Sequence, residues 1–452
     1  MRRVFLLLNI IILFLFLTNG FYEYTAYGDR KSDVYELGNR HIKLRYDPGN
    51  NAFVITNRNN RRVYHTEPVD SFKTTGVKIL SSTRMDITCR LGKGGSEIAV
   101  LIEITLEDKR VKGVIKAAKD ASLVKPIAFP GAFRGDEKKQ YFAIPYAEGI
   151  LVPAAEKYDF GEYQMWRHKS TMPFVGMTDL KTGIMITSDT PWDAAIQFTK
   201  ESSSKNGDYL MTLKHYPAKG KLGYDRVFYI DLIDRDGYNE MAKVFRKHLQ
   251  DRQASKGPDD NNVLVTLKEK LQKNGNVDKL IGAVDFWLGS TAMKDAGIID
   301  DLISNGVKKA VINFQYGWKV YEDEKRPQVV GYVADSGMIS SRYDNFTCVY
   351  DTKAEKISPR YRTDGFDKHV IVKQDGRLQE GHREYYKGHT VQGYRLNTKY
   401  SLEDVDPFIT KDLAENRYLG RFVDVVVSAG LYEDYSKVHP MTRQPLRRKN
   451  RR

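Results

Sequence analysis

Two cysteines, Cys89 and Cys348, are the only thiols in this chain of 452 residues. They stand far apart and lack metal-ligand spacing, which excludes a disulfide framework or a zinc ribbon. One disulfide is conceivable, but two buried thiols are the expectation. Other signatures are missing too. There is no G-x-S-x-G elbow, Walker loop, dinucleotide fingerprint or H-E-x-x-H pair, so nothing points to a serine hydrolase, an NTPase, a nicotinamide enzyme or a zincin. The nine histidines are scattered. RNP, zinc-finger and helix-turn-helix patterns are absent, as is any repeat of fixed period. The net charge of +14 is uneven, because Arg443 to Arg452 holds six basic groups and no acid. That end, 444–452, reads as a solvated basic tail, and no nucleic-acid partner is expected.

Long apolar runs are also scarce. One stands out, Val4 to Leu17, broken only by Asn9 and preceded by Arg2 and Arg3. It is shorter than the about 20 residues that span a membrane. A basic start followed by such a run reads as a secretory signal over residues 1–20. The expected location is therefore secreted, periplasmic or cell-surface, with no stable membrane span once the signal is removed. Thr18-Asn19-Gly20 offers no A-x-A cleavage pattern, so a membrane tether through an uncleaved signal anchor is the alternative.

What is present is a β texture, then a mixed one. Hydrophobic residues make up 41% of the chain and aromatics 12%, enough to fill cores and to exclude general disorder. From about Tyr35 to Ile233, short alternating runs such as His41–Tyr46, Glu97–Thr105 and Arg110–Lys116 read as half-buried strands. Turn clusters such as Asp47-Pro48-Gly49-Asn50-Asn51 separate them. A β-sandwich over 30–252 is the expectation. It includes a helix over Gly237–Asp251, in which Met241, Val244, Phe245 and Leu249 share a face. Residues 253–262 read as a linker.

Beyond the linker, strand and helix patterns alternate. Leu280–Leu288, Ala310–Phe314, His369–Lys373 and Arg421–Val427 read as buried strands, and Asp295–Asn305 and Leu402–Asn416 as helices, the first stopped by Asn305-Gly306. This order predicts βα units and a parallel sheet. A complete (β/α)8 barrel takes about 250 residues, more than the stretch 263–443 provides. A multidomain β plus α/β chain with an incomplete TIM-barrel-like domain is expected.

An acid within an apolar strand is costly to bury unless it is paired, and acids at strand C-termini of a parallel barrel face the substrate. Asp424, in Phe422-Val423-Asp424-Val425, fits that address. A turn cap or an ion pair with a neighbouring Arg or Lys is the alternative. Asp285, in Val284-Asp285-Phe286-Trp287, is an acid followed by aromatics. Trp318, after Phe314-Gln315-Tyr316-Gly317, could stack on a sugar face. Arg342, Tyr343 and Asp344 bring together a cation, an aromatic and an acid. His439 precedes Pro440, and loop ordering competes with a functional role. Together these residues suggest the acid-and-aromatic lining of a carbohydrate site. Asn345-Phe346-Thr347 is also a glycosylation sequon.

At these residues the chain resembles glycoside hydrolase family 129 and the related family 101. The matching stretches are Phe422-Val423-Asp424-Val425, Gly430-Leu431-Tyr432-Glu433 and His439-Pro440-Met441-Thr442-Arg443. Ser341-Arg342-Tyr343-Asp344 is also similar. Pro173–Asp179 and Asp189–Asp193 resemble the family's β-sandwich. The resemblance implies a retaining α-N-acetylgalactosaminidase acting on mucin-type O-glycans, with a glycan as partner. It maps Asp424 onto the nucleophile and makes Asp344 a sugar-contacting acid. Asp285, Trp318, Glu433, His439 and Arg443 are the further candidates for substrate contact. No cofactor is required, although calcium can be carried by such proteins, with ligands unassigned here. A retaining mechanism needs a second carboxyl. In the family that Glu lies on a later strand, which is not found after Arg443, and Glu433 and Asp434 come too early to match it. The expectation is an exported glycosidase, recorded as a fragment or frameshifted product, or one that is inactive. A non-catalytic glycan-binding protein on the same sandwich and half-barrel is the alternative.

Overall fold

The computed structural model describes residues 34–444 except 70, 92–96, 124, 136–138, 155–160, 168, 201–208, 255–276, 289–296, 315–325, 354–361 and 426–429. The expected leader, most of the expected linker, Trp318 and the tail beyond Gln444 lie outside the described residues.

The first half is β-rich. Alternation of apolar and polar residues in Ile98–Glu107 and Arg84–Leu91 buries every second side chain, so each strand presents one face to a core. Nine antiparallel strands form the larger sheet. Its order runs from Ile150–Pro153 at one edge, through Gly183–Ser188 and Arg226–Ile233, to Phe72–Ser81 at the other. Two four-stranded antiparallel sheets pack against it. One is the meander of Tyr35–Gly38, Ile42–Asp47, Ala52–Asn57 and Val63–His65. The other contains Ile127–Gly135, Tyr209–His215, Ala194–Lys200 and Glu162–Gln164. The Thr66–Phe133 bridge links these two. One hydrophobic cluster draws on all three sheets, including Leu44, Phe53, Phe129, Ile102, Met211 and Phe228.

Phe174–Thr178 and Gly183–Ser188 depart from alternation and are buried at every position. The helix Gly237–Ala254 explains this, because it covers the outer face of these strands. Met241 and Phe245 pack there with Phe174, Met185 and Ile233, with Val244 and Leu249 beside them. The four residues expected to share a helical face thus do so. The helix approaches closely because Gly176 has no side chain: a Cβ there would run into the Met241 sulfur. At the far end of the same helix, His248 meets Asp189 at 2.7 Å and Arg110 at 3.0 Å.

The second half has a four-stranded parallel sheet of Val284–Leu288, Ala310–Phe314, Ile339–Asn345 and Gly420–Asp424. Each strand lies beside its predecessor in sequence. One face is packed by helices Gly297–Ser304 and Arg326–Asp335, through Ile299, Val330 and Val333 against Leu288, Ile312 and Phe314. Helix Ser401–Glu415 lies on the same side of the sheet, with Asp412 bonded to Arg342, which is paired with Phe314. Among the described residues no element covers the opposite face, and it is concave. In a flat sheet, strands three steps apart lie about 14 Å from one another, yet Trp287 of the first strand meets Phe422 of the fourth with ring centroids 4.9 Å apart.

Ala310–Phe314 matches its expected bounds, and Gly306, at φ +86°, ends the preceding helix as expected. Two expectations are corrected. The first parallel strand begins at Val284, because Val277–Leu280 is helical. His369–Lys373 is not a strand of the parallel sheet: Phe366–His369 is a short helix, and Val370 and Val372 make isolated bridges to Leu396 and Leu378. This stretch belongs to an insertion between the third and fourth parallel strands, built on a three-stranded antiparallel sheet of Cys348–Tyr350, Glu380–Tyr386 and His389–Arg395. Both cysteines are buried free thiols, one in each half.

The sandwich core also encloses a titratable ring. His215 is fully buried against Phe228, and burial, aided by the Arg226 charge, pushes its imidazole down to about 3. Between that value and the ordinary 6.5, the unfolded chain takes up a proton that the folded one refuses. Stability therefore falls as pH drops through this window. We predict that His215 alone costs on the order of 2–3 kcal/mol between pH 7 and pH 4.5. Denaturant titration at the two pH values measures it, and His215→Phe should remove that part of the slope. An unchanged slope in the variant would show that His215 is not the group responsible.

Candidate functional site

The third parallel strand separates two chemistries by its period of two. Ser341, Tyr343 and Asn345 share the concave face with Gly420, Phe422 and Asp424, their register partners. Arg342 and Asp344 point to the opposite, helix-covered side.

On the concave face, Asp424 ends the fourth strand, and its Oδ2 accepts a 2.7 Å hydrogen bond from the Tyr343 hydroxyl. Burial, reinforced by that carboxylate, raises the Tyr343 phenol above its ordinary range, so it stays a donor at neutral pH. Val425, immediately beyond, takes φ +67°, a left-handed conformation costly for a β-branched residue. The Tyr343 and Phe422 rings stack at 6.0 Å, and Trp287 lies edge-on to both. Trp287 is 40% and Phe422 42% exposed, so aromatic surface remains open to a ligand. Lower on the same face, Asp285 accepts bonds from Trp287 Nε1 at 3.0 Å and Asn313 Nδ2 at 2.5 Å.

A cavity of about 430 Å³ opens here, lined by Asp285, Val311, Asn313, Ser341, Gly420 and Phe422 among others. It lies toward the N-terminal ends of the strands and does not include Asp424. Chemistry in parallel β/α architectures gathers at the C-terminal strand ends, so the cavity is the floor of the concave face, and Asp424 stands at its rim.

The helix-covered face explains Asp344. Its carboxylate is buried between Arg342, at 2.8 Å, and Arg421. Both arginines also bind Asp412 of helix Ser401–Glu415, at 3.0 and 2.7 Å. Arg342 lies over the Phe408 ring at 4.5 Å. Burial raises the Asp344 carboxyl above its usual range despite the two guanidinium groups. This closed square of two acids and two cations ties helix to sheet. Asp344 therefore faces away from Asp424, a correction to its expected place beside the sugar.

Glu433, His439 and Arg443 likewise stand elsewhere than expected. Asp434 is fully buried. It accepts bonds from the backbone amides of Val372 and Ser436, from Asn397 Nδ2, and from the His439 ring at 2.6 Å. His439 thereby orders its own loop. Glu433 accepts from the Lys219 amide at 2.6 Å and the Tyr435 hydroxyl at 2.8 Å, and it meets Arg443 at 3.4 Å. Arg443 reaches Asp193 at 2.5 Å and the Pro217 carbonyl at 2.8 Å. Asp193 is buried, bonded also to the Tyr224 hydroxyl and 3.6 Å from buried Arg226. Although burial opposes it, Asp193 and Glu433 raise the Arg443 guanidinium above its ordinary value. The segment thus clasps the sandwich, and Glu433 and Arg443 are engaged in that clasp.

The structure brings Asp285 and Asp424 to one face. The sequence reading missed Asn313 and Phe422 as members of it; their apolar context hid them, and the parallel register is the signal that finds them. Among the described residues, no group of three or more His, Cys, Asp or Glu is arranged to hold a metal ion. Here the carboxylates are spent on arginines, hydroxyls and amides, and no step is assigned to calcium. Within the sequon, Asn345 Oδ1 accepts from the Thr347 amide and hydroxyl, and Thr347 is buried.

Residues 304–452 match the family described as glycosyl hydrolases related to the GH101 family, GH129. Over that stretch the chain is similar to family 129. The match covers the second, third and fourth parallel strands and the Asp434 loop, but not the first strand. The fold is shared with the alpha-N-acetylgalactosaminidase NagBb from Bifidobacterium bifidum. Its GalNAc complex matches with a TM-score of 0.70 and 14% identity, over 90% of this chain and 72% of that one. Its ligand-free form matches with a TM-score of 0.68 and 15% identity, over 90% and 73%. At such identity the likeness is one of fold. A search of curated proteins finds no match in sequence.

The Asp193 clasp gives a second prediction. Asp193→Asn should leave Arg226 buried without its carboxylate and release Arg443, costing roughly 3 kcal/mol. Thermal unfolding measures the loss, and limited proteolysis should cut the Gly430–Arg443 segment sooner than in the parent. Unchanged melting and cleavage would refute the clasp.

Proposed function

We propose that this chain is an exported glycoside hydrolase acting on α-linked N-acetylgalactosaminides of mucin-type O-glycans, with retention, and that Asp424 is the nucleophile. The observation that carries this reading is the place of Asp424, at the C-terminal end of the fourth of four sequentially wound parallel strands, on the concave aromatic face. Sequential order with helices on one side supports the winding of a β/α barrel, and the Trp287–Phe422 contact supports the curvature that an arc of a barrel requires. Family 129 kinship and the NagBb-like fold support the same reading.

Chemically, a carboxylate oxygen of Asp424 attacks the anomeric carbon as the glycosidic C–O bond breaks. The departing oxygen takes a proton from a second carboxyl group. Water, deprotonated by that same group, then releases the sugar and regenerates Asp424. Exposed faces of Trp287 and Phe422 supply apolar surface against which a sugar ring can lie. Export through residues 1–20 brings the enzyme to extracellular glycans, with a signal-anchor tether as the alternative arrangement.

A non-catalytic glycan-binding role is the second reading. It is favoured by the employment of Asp344, Glu433 and Asp434 in ion pairs and loop bonds rather than opposite Asp424. One experiment decides between them. The chain is assayed on an aryl α-N-acetylgalactosaminide beside Asp424→Asn. Turnover that the substitution reduces to the uncatalysed level is the expected outcome. Glycan binding without turnover, equal in both proteins, would establish the second reading instead.

A further inference from the structure

We propose that Tyr343 is the positioning residue for Asp424: its hydroxyl holds the carboxylate in one orientation. The inference deepens the reading of Asp424 as nucleophile, and rests on it for its consequence in turnover.

The argument is geometric. Backbone conformation at Val425 turns the chain directly after Asp424, but the carboxylate keeps its own side-chain torsions. Those are fixed through the 2.7 Å bond from Tyr343. The tyrosine ring cannot swing away, since Phe422 stacks on one face of it and Trp287 abuts it edge-on. Trp287 is itself restrained by its bond to Asp285. The donor is thus held by rings from the first and fourth strands, while the acceptor sits on the fourth.

The arginines beside this strand, Arg342 and Arg421, are committed to Asp344 and Asp412 on the other face. Among the described residues, the Tyr343 hydroxyl is the donor that meets the Asp424 carboxylate. A nucleophile must be aimed at the carbon it attacks, and this bond aims it.

The test reads the orientation itself. Crystal structures of the full chain compare the Asp424 side chain in the parent and in Tyr343→Phe. One rotamer in the parent and a changed or divided one in the variant is the expected result. In turnover, kcat of Tyr343→Phe should fall roughly 10- to 100-fold with KM little changed. Near-equal melting temperatures confirm that the fold is kept. The same single Asp424 rotamer in both proteins would overturn the inference. A changed rotamer with no turnover in either protein would uphold the positioning role and refute the nucleophile.

Discussion

The Asp193 carboxylate is the contact on which the relation between the two halves depends. It is buried at the end of a short turn in the sandwich, where an isolated anion would be very costly. Arg226 answers it from within the sandwich, and Arg443 answers it from the far end of the chain. From Arg443 the ordering passes through Glu433 to the Lys219 loop, and through Asp434 to Val372, Asn397 and His439. The insertion above the parallel strands is thereby fastened to the sandwich by polar bonds. Apolar burial builds each half, and charge fixes how this segment joins them. Such an arrangement suits a region that must be held in place without adding a second greasy core.

The same division of labour recurs inside the parallel sheet. Its helix side is sealed by aliphatic packing at the first two strands and by the Arg342–Asp344–Arg421–Asp412 square at the last two. Its concave side carries rings and two acids, each acid held by neutral donors. Acids paired with guanidinium groups hold structure here, whereas among the described residues Asp424 and Asp285 meet hydroxyl, indole and amide donors.

Much of this was legible in the sequence, and the illegible part has a physical reason. Alternating runs marked the sandwich strands, and the run Ala310–Phe314 marked a buried parallel strand. The spacing of Met241 and Phe245 marked the covering helix. Asp424 draws notice because an acid within the apolar run Phe422–Val427 is expensive if buried. A strand's period says which residues share a face but not which face is open; the pairing of Asn345 with Asp424 decides that, and it sets Asp344 on the helix side. The hairpin Glu380–Arg395 escaped notice because both its faces are largely wet, so no alternation marks it. Glu433 and Arg443 lie in stretches that resemble the family's motifs, but a motif reports kinship, and only the fold reports which neighbour each side chain serves.

The curvature recorded by the Trp287–Phe422 contact has one more consequence. Three rings, at 287, 343 and 422, fill a single volume although they come from three strands far apart in the chain. A smaller ring at one position calls for a larger one at another if the arc is to keep its radius. Across relatives these positions should therefore vary in concert, as one compound character inherited in three pieces.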